Sequence, residues 1–534
     1  MNRKDTYLWW QKEIIYQIYP RSFYDSSGNG TGDLNGILQK LDYLEELGVK
    51  GIWISPFFPS PMADFGYDVS DYTGIHPLIG NMDDFDRLLE GIHKRGMKMI
   101  LDFVPNHSSD EHPWFQESKS SRDNPKRDWY VWKDPKPDGS EPNNWLSEFG
   151  GSAWTLDENT GQYYLHTYLD KQPDLNWRNP EVHEAMLNCM RFWLDKGVDG
   201  FRVDVMWQMI KDKQFRDNPP NPDYTEDMSP YDKLLPVYSS DQPEVHDVVR
   251  EMRKLTDQYP ETVLIGEIYL PIQDLVTYYG HDLQGAQLPF NFQLVELPWE
   301  ARRIEAAINE YEASLPSEGW PNWVLGNHDK SRIASRVGPQ QARIAAMLLL
   351  TLKGTPTMYY GDEIGMTDVH IPVEMANDPR ETKVPGKGLG RDPERTPMQW
   401  DSSENAGFTN GKPWLPLMEN YKKFNVASES KDQDSMLNFY RRLIKLRASE
   451  KALSVGDFYP VPAEGNVLAY RREGPKKAFL IILNLGDQKE QVDPELPQWK
   501  GTVRFSTHSE KEGKEIKGSL ILQPDEGLLI ELKQ

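Results

Sequence analysis

GILQKLDYLEELGVKGIWIS, residues 36–55, decides the fold. In its first part Ile37, Leu38, Leu41, Leu44 and Leu47 recur at helical spacing, and GIWIS follows as a β-rich run. Upstream stands another β-rich run, IIYQIY (14–19), joined to the helix by a Gly-rich loop. Downstream come a loop, a helical pattern from Met82 to Arg95, and the apolar run MKMILDFV (97–104). Strand, helix and strand in that rhythm call for a parallel sheet with right-handed crossovers.

The rhythm breaks between His107 and Trp177, a segment rich in Trp, Asp, Pro, Asn and Tyr without a long helical period. It is too long for a simple loop, so an irregular subdomain inserted after the third strand is expected. Alternation resumes with a helix from Pro180 to Lys196 and GFRVDV (200–205), then VLIGEIY (263–269), LPFNF (288–292), WVLGNHD (323–329) and TPTMYYG (355–361). Counted from IIYQIY these are eight strands, the number that closes an α/β (β/α)8 TIM barrel. After the helix LNFYRRLIKLRAS the texture changes to short alternating runs, GNVLAYRRE, KAFLIILNL, GTVRFSTH and GLLIEL, separated by turn residues. The predicted organisation is a barrel in two parts, 1–106 and 178–454, an insert at 107–177, and a C-terminal antiparallel, β-sandwich-like domain at 455–534.

Composition excludes several partners. The 83 acids and 60 bases give a formal charge of -23, which argues against nucleic acid or an anionic membrane. The start has no apolar run ending in a small-residue cleavage site, and no stretch is apolar enough to span a bilayer. The one cysteine, Cys189, lies in a helical pattern and allows no intrachain disulfide. A cytoplasmic protein, monomeric or weakly self-associating, is expected.

Three strand ends carry an acid each: Asp204, Glu267 and Asp329. Burying a carboxylate there is costly without a partner or a task. Arg202 and Asp204 share the inward face of one strand, and Arg202 would keep Asp204 ionised, as a nucleophile requires. The same pair would also serve as a buried ion pair that only fixes the barrel. Neighbouring carboxylates would raise the pKa of Glu267, which suits a general acid. Together the three match the needs of glycosyl transfer: a nucleophile, an acid/base, and a further acid to hold the distorted sugar.

DFVPNH (102–107), GFRVDV, GEIY (266–269) and GNHD (326–329) resemble, in order, four short regions of the α-amylase superfamily, glycoside hydrolase family 13. QPDLNW (172–177), RTPMQWD (395–401) and AGFT (406–409) resemble its oligo-1,6-glucosidase and α-glucosidase branch. The resemblance spans essentially the whole chain. It implies a retaining, exo-acting α-glucosidase with Asp204 as nucleophile, Glu267 as acid/base and Asp329 as the acid that binds sugar hydroxyls. Asp102, His107, Arg202 and His328 match supporting residues around the glucose site, and Tyr67 matches the aromatic platform under its ring. Asp64 and Arg391 match a pair that holds the terminal O4 hydroxyl and closes the pocket. In that branch a valine after the nucleophile accompanies α-1,6 preference, so Val205 leans toward isomaltosides. The long Pro-rich segment 211–232 reads as an active-site loop. Rival readings are a glucosyl-transferring enzyme or sugar isomerase of the same family, and a catalytically silent, transporter-associated homologue.

No cofactor is expected for catalysis. In DSSGNGTGD, Asp25, Ser27, Asn29, Thr31 and Asp33 set oxygen side chains at alternate positions with glycines for the turn. That pattern resembles a structural calcium or magnesium loop. A flexible turn would use the same residues.

Overall fold

The computed structural model describes residues 7–494, 496 and 499–533. Eight parallel strands make the barrel: β1 Ile15–Ile18, β2 Gly51–Ile54, β3 Lys98–Phe103, β4 Gly200–Val203, β5 Val263–Gly266, β6 Leu288–Pro289, β7 Asn322–Val324 and β8 Thr355–Tyr359. They lie in the order β7-β8-β1-β2-β3-β4-β5-β6. Helices cover the outside and side chains fill the inside, so β1, β2, β4, β5 and β8 are buried at every residue. Burial on both faces is why these strands read as apolar runs rather than as alternation.

The ring is not closed by a ladder. LPFNF yields only the two-residue strand β6, and no backbone pairing joins β6 to β7 among the described residues. The side chain of Asn322, fully buried, spans the gap instead. Its Oδ1 accepts from the Asn291 N–H at 3.0 Å, and its Nδ2 donates to the Pro289 carbonyl.

The helix read over 36–48 is two helices, Leu34–Gln39 and Leu41–Leu47. Lys40 leaves helical dihedrals between them (φ −106°, ψ 8°), and its ammonium lies 4.0 and 4.2 Å from the ring centroids of Tyr24 and Trp400. Gly48 ends the second helix at φ +94°, where a Cβ would also meet Ile444 at 2.9 Å. Both demands select glycine.

Between β3 and β4 the chain forms the helix Pro113–Ser120 and a three-stranded antiparallel sheet of Trp132–Lys133, Gln162–Leu165 and Trp154–Asp157. From Asp457 to Leu532 it forms a six-stranded antiparallel sheet and a two-stranded one. Tyr470 and Thr351 share a 2.5 Å hydrogen bond between that sheet and the barrel. No helix among the described residues is long and apolar enough to cross a membrane.

Candidate active site

Val203 of β4 and Gly266 of β5 are in register, and Asp204 and Glu267 follow them. The two acids therefore stand side by side on neighbouring strand ends, where strands lie about 4.8 Å apart. One guanidinium serves both. Arg202 Nη1 donates to Asp204 Oδ1 at 2.7 Å and to Asp102 Oδ1 at 2.8 Å, while Nη2 lies 3.0 Å from Glu267 Oε1 in an ion pair off the hydrogen-bond angle. The register Asp102↔Arg202 puts that pair on adjacent strands as well. Val205 takes φ +38° and ψ +46°, a strained conformation for a β-branched residue. The turn aims its N–H at Glu267 Oε2, 2.8 Å away.

Asp329 lies beyond β7. Its Oδ1 accepts from Arg395 Nη2 at 2.7 Å and from Arg391 Nη1 at 3.1 Å, and Oδ2 is 3.3 Å from His328 Nε2. The Tyr67 ring stacks on His328 with 5.2 Å between centroids and 5° between planes. Its hydroxyl reaches His328 Nε2 at 2.6 Å and Asp102 Oδ2 at 3.1 Å. His107 meets the Tyr67 carbonyl and Gln172 at 3.1 Å each.

Arg391 and Asp64 form the expected pair at 2.7 Å. Arg391 also binds Asp378, through Nη2 at 2.7 Å and Nε at 3.0 Å. These groups lie at or behind one cavity of ≈ 600 Å³, within the range of small-molecule sites. Asp64, Tyr67, His107, Asp204, Val205, Glu267, Asp329 and Arg391 line it. Asp102, Arg202 and His328 are buried one layer behind. The segment 211–232 contributes Asp227, Met228, Ser229, Tyr231 and Asp232 to the wall.

Burial and then the Glu267 carboxylate push Asp204 well above the usual carboxylate range, with Arg202 pulling the other way. The sequence reading assigned that rise to Glu267. Asp204 carries a rise because burial combines with repulsion between two carboxylates that share a single guanidinium. Burial raises Asp102 to about 6 against the pull of Arg202. Asp329 behaves oppositely: despite burial, His328, Arg391 and Arg395 hold it well below the usual range. Burial also drives His328 well below its ordinary value, so near pH 7 that ring is neutral and the two arginines are the cations that count. Burial lowers His107 to about 4.

Residues 17–456 match the family described as alpha amylase, catalytic domain. The chain belongs to the α-amylase family. An oligo-1,6-glucosidase of Heyndrickxia coagulans is 40% identical over 536 residues, 92% of this chain and 95% of the relative. An α-glucosidase of Culex pipiens is 42% identical over 498 residues, 91% of this chain and 83% of the relative. Among solved structures, an α-glucosyl transfer enzyme matches with a TM-score of 0.94 at 40% identity, covering 99% of this chain and all of that one. The protein is thus a glycoside hydrolase of the α-amylase family, whose members need no cofactor for the chemical step and typically retain configuration.

Four residues that this site of the α-amylase family fold depends on escaped the sequence reading. Arg395 opens RTPMQWD, and Gln172, which donates to Asp64 at 3.2 Å, opens QPDLNW. Both stand inside quoted motifs. Gln17 interrupts the apolar run IIYQIY and is fully buried, a signal in itself. Asp378 precedes Pro379 and caps the short helix Pro379–Lys383 through the Arg380 N–H, so the sequence marks a helix start there but not a partner for Arg391.

The Asp25–Asp33 loop lies apart from the cavity. Asp25 Oδ1 accepts from the Ser27 N–H, the Ser27 hydroxyl and the Gly28 N–H, and Oδ2 from the Gly30 N–H and the Thr409 hydroxyl. Asn29 Oδ1 accepts from the Thr31 N–H, and Asp33 caps the helix Leu34–Gln39 through the Gly36 N–H. The loop's two carboxylates are taken up by donors of the chain. No group of three or more His, Cys, Asp or Glu suited to a metal occurs among the described residues.

Proposed function

We propose that the protein is a retaining, exo-acting α-glucosidase that frees α-glucose from the non-reducing end of short α-glucosides. Asp204 attacks the anomeric carbon while Glu267 protonates the leaving oxygen, giving a covalent glucosyl-enzyme. Glu267 then takes a proton from water, which releases the sugar with its configuration retained. Asp329, held ionised by Arg391 and Arg395, binds the sugar hydroxyls as the ring distorts. Tyr67, Asp102, His107, Arg202 and His328 support that sugar, and Asp64 with Arg391 closes the pocket beyond it.

One observation carries the mechanism: a single guanidinium touches both Asp204 and Glu267 on adjacent strand ends. Retention needs the two carboxyls about 5–5.5 Å apart, whereas inversion needs roughly 6.5–9.5 Å for an intervening water. Neighbouring strands favour the shorter spacing.

Val205 leans the bond preference toward α-1,6, within a repertoire of α-1,4 and α-1,6 links. Likeness to an α-glucosyl transfer enzyme favours one second reading, in which the same intermediate passes glucose to another sugar, as a transferase or isomerase would do. The free Cys189 suits a reducing compartment, and we place the enzyme in the cytoplasm as a monomer or weak homo-oligomer.

The test is to follow maltose, isomaltose and sucrose by proton NMR. α-Glucose as the first product, with kcat/KM for isomaltose at or above that for maltose, is expected. First release of β-glucose ends the retaining mechanism. New disaccharides outweighing glucose at low substrate move the assignment to transfer.

A further inference from the structure

We propose that Gln17 of β1 is a positioning residue that fixes which nitrogen of His328 carries the proton. Through it Gln17 sets the direction of the hydrogen bonds that run from His328 by way of Tyr67 to Asp102. The inference deepens the glucosidase reading and rests on it for its catalytic consequence.

The direction is set from the Asp102 end. Its carboxylate accepts from Arg202 Nη1 at 2.8 Å, from the Trp53 indole N–H at 3.1 Å and from the Tyr67 hydroxyl at 3.1 Å. An ionised carboxylate has no proton to give, so Tyr67 donates there. The Tyr67 oxygen then accepts at 2.6 Å from His328 Nε2, which must carry a hydrogen. The groups around His328 keep the ring neutral. Tyr19 stacks on it at 5.8 Å, Trp53 meets it edge-on at 6.3 Å, and burial, joined by the charges of Arg395, Arg202 and Arg391, outweighs the pull of Asp329. A neutral imidazole with its proton on Nε2 leaves Nδ1 as a bare lone pair in a dry site.

Gln17 Nε2 lies 2.8 Å from that nitrogen and 3.2 Å from Ser55 Oγ. The amide gives up something to be there. Gln17 is fully buried, and its Oε1 has no hydrogen-bond partner among the described residues. Turning the amide over would set Oε1 against the bare Nδ1, lone pair to lone pair. A donor at Nδ1 is what the strand retains at the expense of an unsatisfied carbonyl. The result is one ordered run: Gln17 N–H to His328, His328 N–H to Tyr67, Tyr67 O–H to Asp102, and Asp102 on the Arg202 that holds Asp204. His328 thereby stays an uncharged donor beside Asp329.

Two measurements test this. With histidine labelled by ¹⁵N and His328 assigned by difference against His328→Asn, the resting protein should show Nδ1 unprotonated and Nε2 protonated. A protonated Nδ1 overturns the proposal. Gln17→Glu keeps the volume but presents only oxygens to Nδ1, demanding a proton there. That variant should fold, lose at least tenfold in kcat/KM on maltose or isomaltose, and show in its pH profile an ionisation that the wild type lacks. Gln17→Met, with no donor, should lose activity without the new ionisation. A Gln17→Glu enzyme with the wild-type rate and profile also overturns the proposal. The ¹⁵N measurement needs no turnover, so failure of the glucosidase reading and failure of this one are read separately.

Discussion

Arg391 Nη2 lies 2.7 Å from Asp64 Oδ1, tying the segment after β2 to the segment after β8. The same guanidinium meets Asp378 and Asp329 at 2.7 and 3.1 Å. Three carboxylates from three segments converge on one fork, and Asp378 is held down to about 2 although burial opposes it. Such a cluster has its geometry set before a sugar arrives, which is what a wall at the end of an exo-acting pocket requires.

Arg391→Lys keeps the charge and loses the fork. A hydrogen bond to a charged group contributes about 1.5–3 kcal/mol, so kcat/KM on disaccharides should fall roughly tenfold to hundredfold, with KM rising more than kcat falls. Steady-state kinetics on maltose and isomaltose decide it. An unchanged KM would mean that the Asp64–Arg391 pair does not touch substrate.

The acid limb of kcat/KM should lie above the ordinary aspartate value of about 3.9. Asp204 must be ionised to attack, and burial with the Glu267 carboxylate pushes it up. Activity is therefore lost as pH falls, and lost early. A profile still flat at about pH 4 would contradict the shared environment of the two acids.

Arg202→Met leaves three buried carboxylates without their common cation, and breaking a buried pair in this way costs about 3–5 kcal/mol of stability. The sign of its pH dependence follows from linkage. Asp102 and Asp204 have raised values in the folded state, so their contribution is fully present below the unfolded value and lost as pH rises through the folded one. Removing Arg202 strengthens that rise. The deficit against wild type in urea unfolding should be smaller at about pH 5 than at about pH 7.5, and the opposite order would refute the assignment.

Chelation should leave the melting temperature where it is. The Asp25 and Asp33 carboxylates are already occupied by N–H and O–H donors of the chain, and the turn holds together on those bonds. A fall of several degrees in EDTA, restored by calcium, would show that the loop rearranges around an ion.

The barrel was legible because a strand buried on both faces and a helix buried on one leave different periods in the sequence. Asp204, Glu267 and Asp329 were legible because a carboxylate at the end of an apolar run is conspicuous. What escaped has a common cause. Asp378 acts from a loop whose position depends on contacts far away in the chain, and Lys40 breaks its helix to reach Tyr24 and Trp400, the latter 360 residues on. Sequence places Asp204 and Glu267 near each other, but that one guanidinium touches both is a matter of ångströms.

Asn322 has a consequence of another kind. Elsewhere in the ring the distance between neighbouring strands is dictated by peptide geometry and is the same whatever the side chains are. Between β6 and β7 it is dictated by one side chain, and that joint lies between the strand bearing Glu267 and the strand leading to Asp329. The spacing of those two acids around the rim is therefore open to adjustment by a single codon, where any other change of circumference would require rebuilding the backbone.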